Sequence, residues 1–197
     1  QPRLTPRGVR MRILKKAEAD RVLVALGIED IRSTKVDLFL EGLVSTGRPL
    51  SRTPADEWWV FGAAHVKSSI AERIQDDVPA SRALMNLGLT SIALTMDAKS
   101  YPPPHGVRIN YGELGGRSMG VEKERIKRRY VENDGQFDGL FSFNLRTPPS
   151  ADVTPSTKRI YTMSLNEPTP DQLVTFIENQ WQAFTRKHNL TISQTKS

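Results

Sequence analysis

The 197-residue sequence contains no cysteine, which removes disulfides, thiolate metal sites and thiol nucleophiles together. It also lacks any apolar run near the ~20 residues that a membrane span requires. Gln1 to Lys16 has no apolar stretch of the signal-peptide kind, so a soluble protein with no visible secretion signal is expected. Histidine is scarce. His65, His105 and His188 stand in unrelated contexts, none with a partner at metal-ligand spacing, and neither a metal nor a cofactor is expected. The patterns G-x-S-x-G and H-E-x-x-H are absent, and Glu132, Asp134 and Asp138 lack the regular spacing of a calcium loop. Asp76-Asp77 reads as a solvated pair at a helix end. No catalytic residue is expected from these patterns, and the chain reads as a binder and not an enzyme. The hydrophobic share of 38% falls short of the globular average, so parts of the chain are expected outside the core. No Met stands at position 1, as expected of a chain that begins downstream of its true start or follows proteolytic release.

What is present is an uneven charge. Residues 1–16 carry Arg3, Arg7, Arg10, Arg12, Lys15 and Lys16 and no acid, which leaves 22 basic against 22 acidic residues in the rest. The net charge of +6 therefore describes an arm and not a uniformly basic body. Residues 1–13, with Pro2, Pro6 and Gly8 among the arginines, are expected to be a flexible basic arm, ordered by a partner.

Beyond the arm, residues 14–197 read as one mostly helical domain with an α+β portion from about 137 to 192. A helix over 14–26 ends at Gly27, a natural C′ residue. A second covers 33–45, with Val36, Phe39, Leu40, Leu43 and Val44 on one face. Thr53-Pro54 with Asp56 and Glu57 signals a third, along which Trp59, Ala63, Val66, Ile70 and Ile74 recur at helical spacing up to a turn at Pro79. A fourth, over 80–97, is apolar almost all round and is expected at the centre. Val107–Tyr111 is expected to form a short strand, followed by a Gly-rich connector and a charged helix over 121–132. Phe141, Phe143 and Leu145 alternate with polar residues, as do Tyr161, Met163 and Leu165, which predicts two strands able to pair antiparallel. Thr169-Pro-Asp-Gln172 is a capping box that opens a last helix, with Leu173, Phe176, Ile177, Trp181 and Phe184 along its stripe. The expected fold is therefore mainly α, with a small antiparallel β-hairpin, a C-terminal helix and an extended N-terminal arm.

Guanidinium groups spaced along a Pro-containing segment suit phosphate contacts. Arg3, Arg7, Arg10, Arg12 and Lys15 are the candidate contacts of the arm. In the body, the helix over 121–132 places Lys123, Lys127 and Tyr130 on one face, with Arg128 beside them and Arg117 in the preceding glycine-rich loop. Tyr130, Tyr101 and Tyr111 could stack on bases.

Residues Phe137-Asp-Gly-Leu-Phe-Ser-Phe143, followed by Pro148-Pro149-Ser-Ala151, resemble the aromatic-Asp stretch of flexible filamentous plant-virus coat proteins. The Trp58–Asp77 segment is similar to a Trp-containing helix of that group. The charged helix over 121–132 and the strand at 158–165 depart from the pattern, and no residue roles are carried over. The resemblance implies a structural capsid or nucleocapsid subunit, in the virion or the host cytoplasm, which packages single-stranded RNA through phosphate contacts and assembles with copies of itself. The alternatives are a non-catalytic component of a ribonucleoprotein, such as a ribosomal protein, and an enzyme with a ligand site at the Tyr101–Gly120 loop.

Overall fold

The computed structural model describes residues 8–28, 35–46, 58–70, 74–98, 112–115, 126–151, 157–164 and 172–192. Along the chain they form β1 (Val9–Arg12), α1 (Lys16–Ala25), β2 (Leu38–Thr46), β3 (Trp58–Lys67), α2 (Ile74–Asn86) and β4 (Thr90–Thr95). There follow α3 (Ile126–Glu132), β5 (Gly139–Ser142), β6 (Arg159–Thr162), α4 (Gln172–Lys187) and β7 (Thr191–Ile192). Six strands lie side by side in chain order from β1 to β6, and β7 pairs with the end of β2. β1, β2 and β3 pair antiparallel. From β3 to β6 every pairing is parallel.

Parallel strands need cover on both faces, and successive residues divide between the two layers. Ile92 and Leu94 of β4, Phe141 of β5 and Tyr161 of β6 join the core under α4, with Val174, Ile177, Trp181 and Phe184. Ala93, Leu140 and Ile160 face the other way, into a second core with Ile74 of α2 and Val131 of α3. Trp181 packs so closely over β2 that a Cβ at Gly42 would fall inside its ring.

The architecture is a mixed α/β layer and not the mainly helical body that the periodicity predicts. Of the segments expected as helices, 33–45 holds most of β2, the one from Thr53 to Ile74 holds β3, and 80–97 holds β4 after the end of α2. A strand buried on both faces shows a continuous apolar run, and such a run matches a buried helix equally well. Phe61, Ala63, Ala64, Ile92 and Ala93 are all buried, whichever face they take. Pro79 does not close a turn but lies inside α2. β5 and β6 pair parallel, so the predicted antiparallel hairpin does not form. By contrast, α1 and α4 fall within the spans predicted for them, although residues 169–171 of the expected capping box lie outside the described residues. Gly27 and Asn189 take φ of 76° and 53°, the left-handed values that end a helix. Residues 9–12, inside the expected arm, form β1, and the expected strand at 107–111 lies outside the described residues.

Candidate active site

Three charged side chains converge at the carboxyl end of β3. Asp37 stands just before β2, and its backbone N–H donates to the Ala64 carbonyl at 3.2 Å. Its Oδ2 accepts from the Val66 N–H at 2.7 Å and from Lys67 Nζ at 3.2 Å. Lys67 closes β3, and its Nζ also lies 3.1 Å from Oδ2 of Asp77, in the first turn of α2. Side-chain exposure falls from 37% at Asp37 through 18% at Lys67 to 4% at Asp77, so the cluster opens to solvent at one end only. Asp76 pairs with Lys35 on the surface at 3.8 Å. Its neighbour Asp77, expected to be solvated with it, is instead buried against Lys67.

A β-bulge aims these groups. Leu40 pairs with Gly62 but Glu41 pairs with Val60, so Phe61 is an extra residue in β3. Phe61 packs on Trp181 and Phe184 of α4. Past the bulge the alternation is reset. Ala64 joins the α4 core, while His65 meets Phe137 on the other face and Lys67 meets Asp77 of α2. Without the extra residue Lys67 would point at the α4 side.

The cluster is short of positive charge, with two carboxylates to one ammonium. Oδ2 of Asp77 is buried and has no aligned hydrogen-bond donor, since the Lys67 contact satisfies ion-pair distance only. His65 is fully buried behind it. Burial pulls the His65 pKa below that of a free imidazole, and the charge of Asp77 works against that fall. Among the described residues no group of three or more His, Asp or Glu side chains surrounds a common point.

The residues singled out from the sequence lie elsewhere. Arg10 and Arg12 belong to β1 and pair with the buried carboxylate of Glu41 at 2.6 and 2.9 Å, Arg12 also reaching Glu18. Lys15 is exposed at the start of α1. Arg128 is buried: it pairs with Glu132 and donates to the carbonyls of Leu114, Pro148 and Pro149. It thus ties α3 to two loops. Lys127 sits 5.8 Å from the Tyr130 ring, and the Tyr130 hydroxyl accepts from Gln75. Arg3, Arg7, Arg117, Lys123, Tyr101 and Tyr111 lie outside the described residues. Lys67 and Asp37 escaped the sequence reading. The available signal was a Lys ending an apolar run, because polar groups at the carboxyl ends of parallel strands mark ligand sites.

No protein-family model matches the chain. It is 42% identical over 161 residues to the type II restriction enzyme AgeI of Thalassovita gelatinovora, an alignment covering 81% of this chain and 55% of that protein. Its fold is similar to that of a crystal structure of the specific restriction endonuclease AgeI–DNA complex, with a TM-score of 0.76 and 38% identity over 91% of this chain. The chain spans about 55–62% of the length of these relatives.

These findings overturn the coat-protein resemblance. The proteins that the chain is similar to are a restriction enzyme and its complex with DNA, neither a capsid subunit nor a ribosomal component. The expected partners, single-stranded RNA and further copies in a coat, fall with that reading, as does the absence of catalysis. The Phe137–Phe143 stretch that carried the resemblance is instead the turn into β5 and the strand itself, with Phe137, Leu140 and Phe141 buried in the two cores. No helix among the described residues is long and apolar enough to cross a membrane.

Proposed function

We propose that this chain carries the catalytic centre of a restriction-type endonuclease, which hydrolyses phosphodiester bonds of DNA. The observation that carries the reading is the convergence of Asp37 and Asp77 on Lys67 at the open carboxyl edge of the sheet. The similarity of the chain to a restriction enzyme supports it.

Phosphodiester hydrolysis adds water to phosphorus and breaks the bond to a deoxyribose oxygen, so negative charge builds on the phosphate oxygens. A divalent cation suits both ends of that process, and the residues present fit one. Carboxylate oxygens are hard donors, the pair has an excess negative charge, and buried Asp77 Oδ2 lacks an aligned donor. Magnesium typically takes only one or two protein carboxylates, with water and substrate phosphate filling the rest. Asp37 and Asp77 would hold the ion, which when bound acidifies a coordinated water and offsets the developing charge. The Val66 amide fixes Asp37 in this arrangement. Lys67 lies within ion-pair distance of both carboxylates, and an ammonium with three donors retains at least one to orient a phosphate oxygen or the attacking water.

The test is cleavage of supercoiled plasmid DNA by purified protein with Mg2+ and with EDTA. Cleavage that needs Mg2+ and is lost in Lys67→Ala supports the reading. Equal cleavage by wild type and Lys67→Ala would sink it.

A further inference from the structure

Two rungs of charge join the segment leading into β2 to the first turn of α2. The inner rung is the candidate centre, with Asp37 and Asp77 on either side of Lys67. The outer rung is Lys35 against Asp76, each a near neighbour in the chain of one inner carboxylate. Between Lys35 and Asp37, Val36 is buried in the core under α4. The main chain is thus anchored beside Lys35, while the lysine stem is left to reach outward. The cluster opens to solvent at Asp37, and Lys35 stands at that opening with 40% of its side chain exposed.

The two rungs hold their lysines differently. Lys67 Nζ lies 3.2 and 3.1 Å from its two carboxylates. Lys35 Nζ is 3.8 Å from Asp76 Oδ2, past the length of a hydrogen bond, and Asp76 is 63% exposed. An exposed ion pair of that kind contributes little and is screened by salt. The Asp76 carboxylate also occupies a place that suits a phosphate oxygen, because an ammonium binds either anion as a point charge. A phosphodiester that approaches the inner rung meets two carboxylates and one ammonium. A second cation at the opening offsets that repulsion.

We propose that Lys35 is a DNA-binding residue at the rim of the candidate centre, where it leaves Asp76 and takes a backbone phosphate next to the one presented to Lys67. Asp76 is then an internal competitor for the same ammonium and weakens binding to DNA in general. The proposal rests on the nuclease reading for the identity of its ligand. Phosphate contacts position a duplex and carry no sequence information, so the effect is the same on any duplex.

The experiment is fluorescence anisotropy of the full chain with a labelled DNA duplex of arbitrary sequence, across a salt series. Ca2+ replaces Mg2+, because the larger ion polarises its water less and slows cleavage. Lys35→Ala should lower the log–log salt slope by about 0.9, the share of one phosphate, which at about 0.1 M salt is about eightfold weaker binding. Lys35→Arg should restore the slope. Asp76→Asn should tighten binding by up to about fivefold, the most that an exposed ion pair typically holds back, and should gain less when Lys35 is already Ala. Lys35→Ala should unfold at the same urea concentration as wild type, a readout that a structural role would move. An unchanged slope in Lys35→Ala overturns the proposal, as does a lost slope that Lys35→Arg fails to restore. An equal Asp76→Asn gain with and without Lys35 overturns it too, because the two residues then do not compete. No duplex binding by wild type at any salt would instead overturn the nuclease reading beneath it.

Discussion

β2 passes two clusters of acids and bases, one at its start and one near its middle, and they are built in opposite ways. At Glu41 a fully buried carboxylate is met by two guanidinium groups, and Arg12 also reaches Glu18. Arg10 further lies 4.0 Å over the Trp58 ring. Burial alone would lower the Arg12 pKa, yet the bonds and charges of Glu41 and Glu18 reverse this and raise it. Charges balance, and planar forks match carboxylate geometry. At Asp37 the ratio is inverted, with two carboxylates around a single lysine. The first cluster is complete within the fold. The second opens to solvent at Asp37 and keeps an unmet buried acceptor at Asp77 Oδ2, as expected where stability is traded for a binding site. A basic cluster closed by acids is therefore structural, and an acidic cluster short of cations is the one to examine for chemistry.

The largest effect expected from this contrast is a double dissociation. Asp37→Asn should lower DNA cleavage about a thousandfold, the order lost when a charge-stabilising group leaves an active site. Its stability should be unchanged or higher, because one of two mutually repelling carboxylates is gone. Glu41→Gln should do the reverse. It leaves two arginines facing an amide, and removing one partner of a buried pair costs about 3–5 kcal/mol. Arg10 and Arg12 keep 22% and 26% of their side-chain surface exposed, so about 2–3 kcal/mol is expected after discounting for solvent. Cleavage per folded molecule should hold. Urea unfolding and plasmid cleavage on both variants check it, and a Glu41→Gln protein that is stable but inactive would break the comparison.

A smaller effect separates the clusters by metal. Mg2+ at about ten times its Kd should stabilise wild type by about 1.4 kcal/mol through mass action. The same gain should appear in Glu41→Gln and vanish in Asp77→Asn. Thermal unfolding with Mg2+ and with EDTA measures it. A gain that survives in Asp77→Asn would place the ion elsewhere.

How far these clusters could be read from the sequence differs for physical reasons. Gly27 and Asn189 are local signals, because a helix end is satisfied by residues within a turn of it, and they mark the carboxyl ends of α1 and α4. β2, β3 and β4 carry no such marks. Most of their described side chains are buried whichever face they take, so the period of two that identifies a strand is erased. Arg128 looked like one of several surface cations in a charged run, and nothing in its neighbours shows that it would reach the carbonyls of residues 114, 148 and 149. The active cluster is harder still. Asp37, Lys67 and Asp77 are brought together by sheet register and by the bulge at Phe61, and neither has a local spacing rule. Asp76-Asp77 was visible as a pair, but which member is buried follows only from the face of α2 that meets β3.

The smallest effect concerns His65, the buried imidazole beside the acidic cluster. Burial holds its folded pKa below the unfolded value of about 6.5. The unfolded chain therefore binds the proton more readily, and its stabilising contribution is complete above that value. As pH falls below about 6.5 it is lost, by at most about 1.4 kcal/mol per pH unit, until the folded pKa is reached. His65→Gln removes this titration while other acids and bases change in both proteins alike. The stability gap between wild type and His65→Gln, measured in urea, should thus narrow from about pH 7.5 to about pH 5.5. A level gap for His65→Gln would mean that the ring is not held neutral, and the two clusters would then differ in charge count alone.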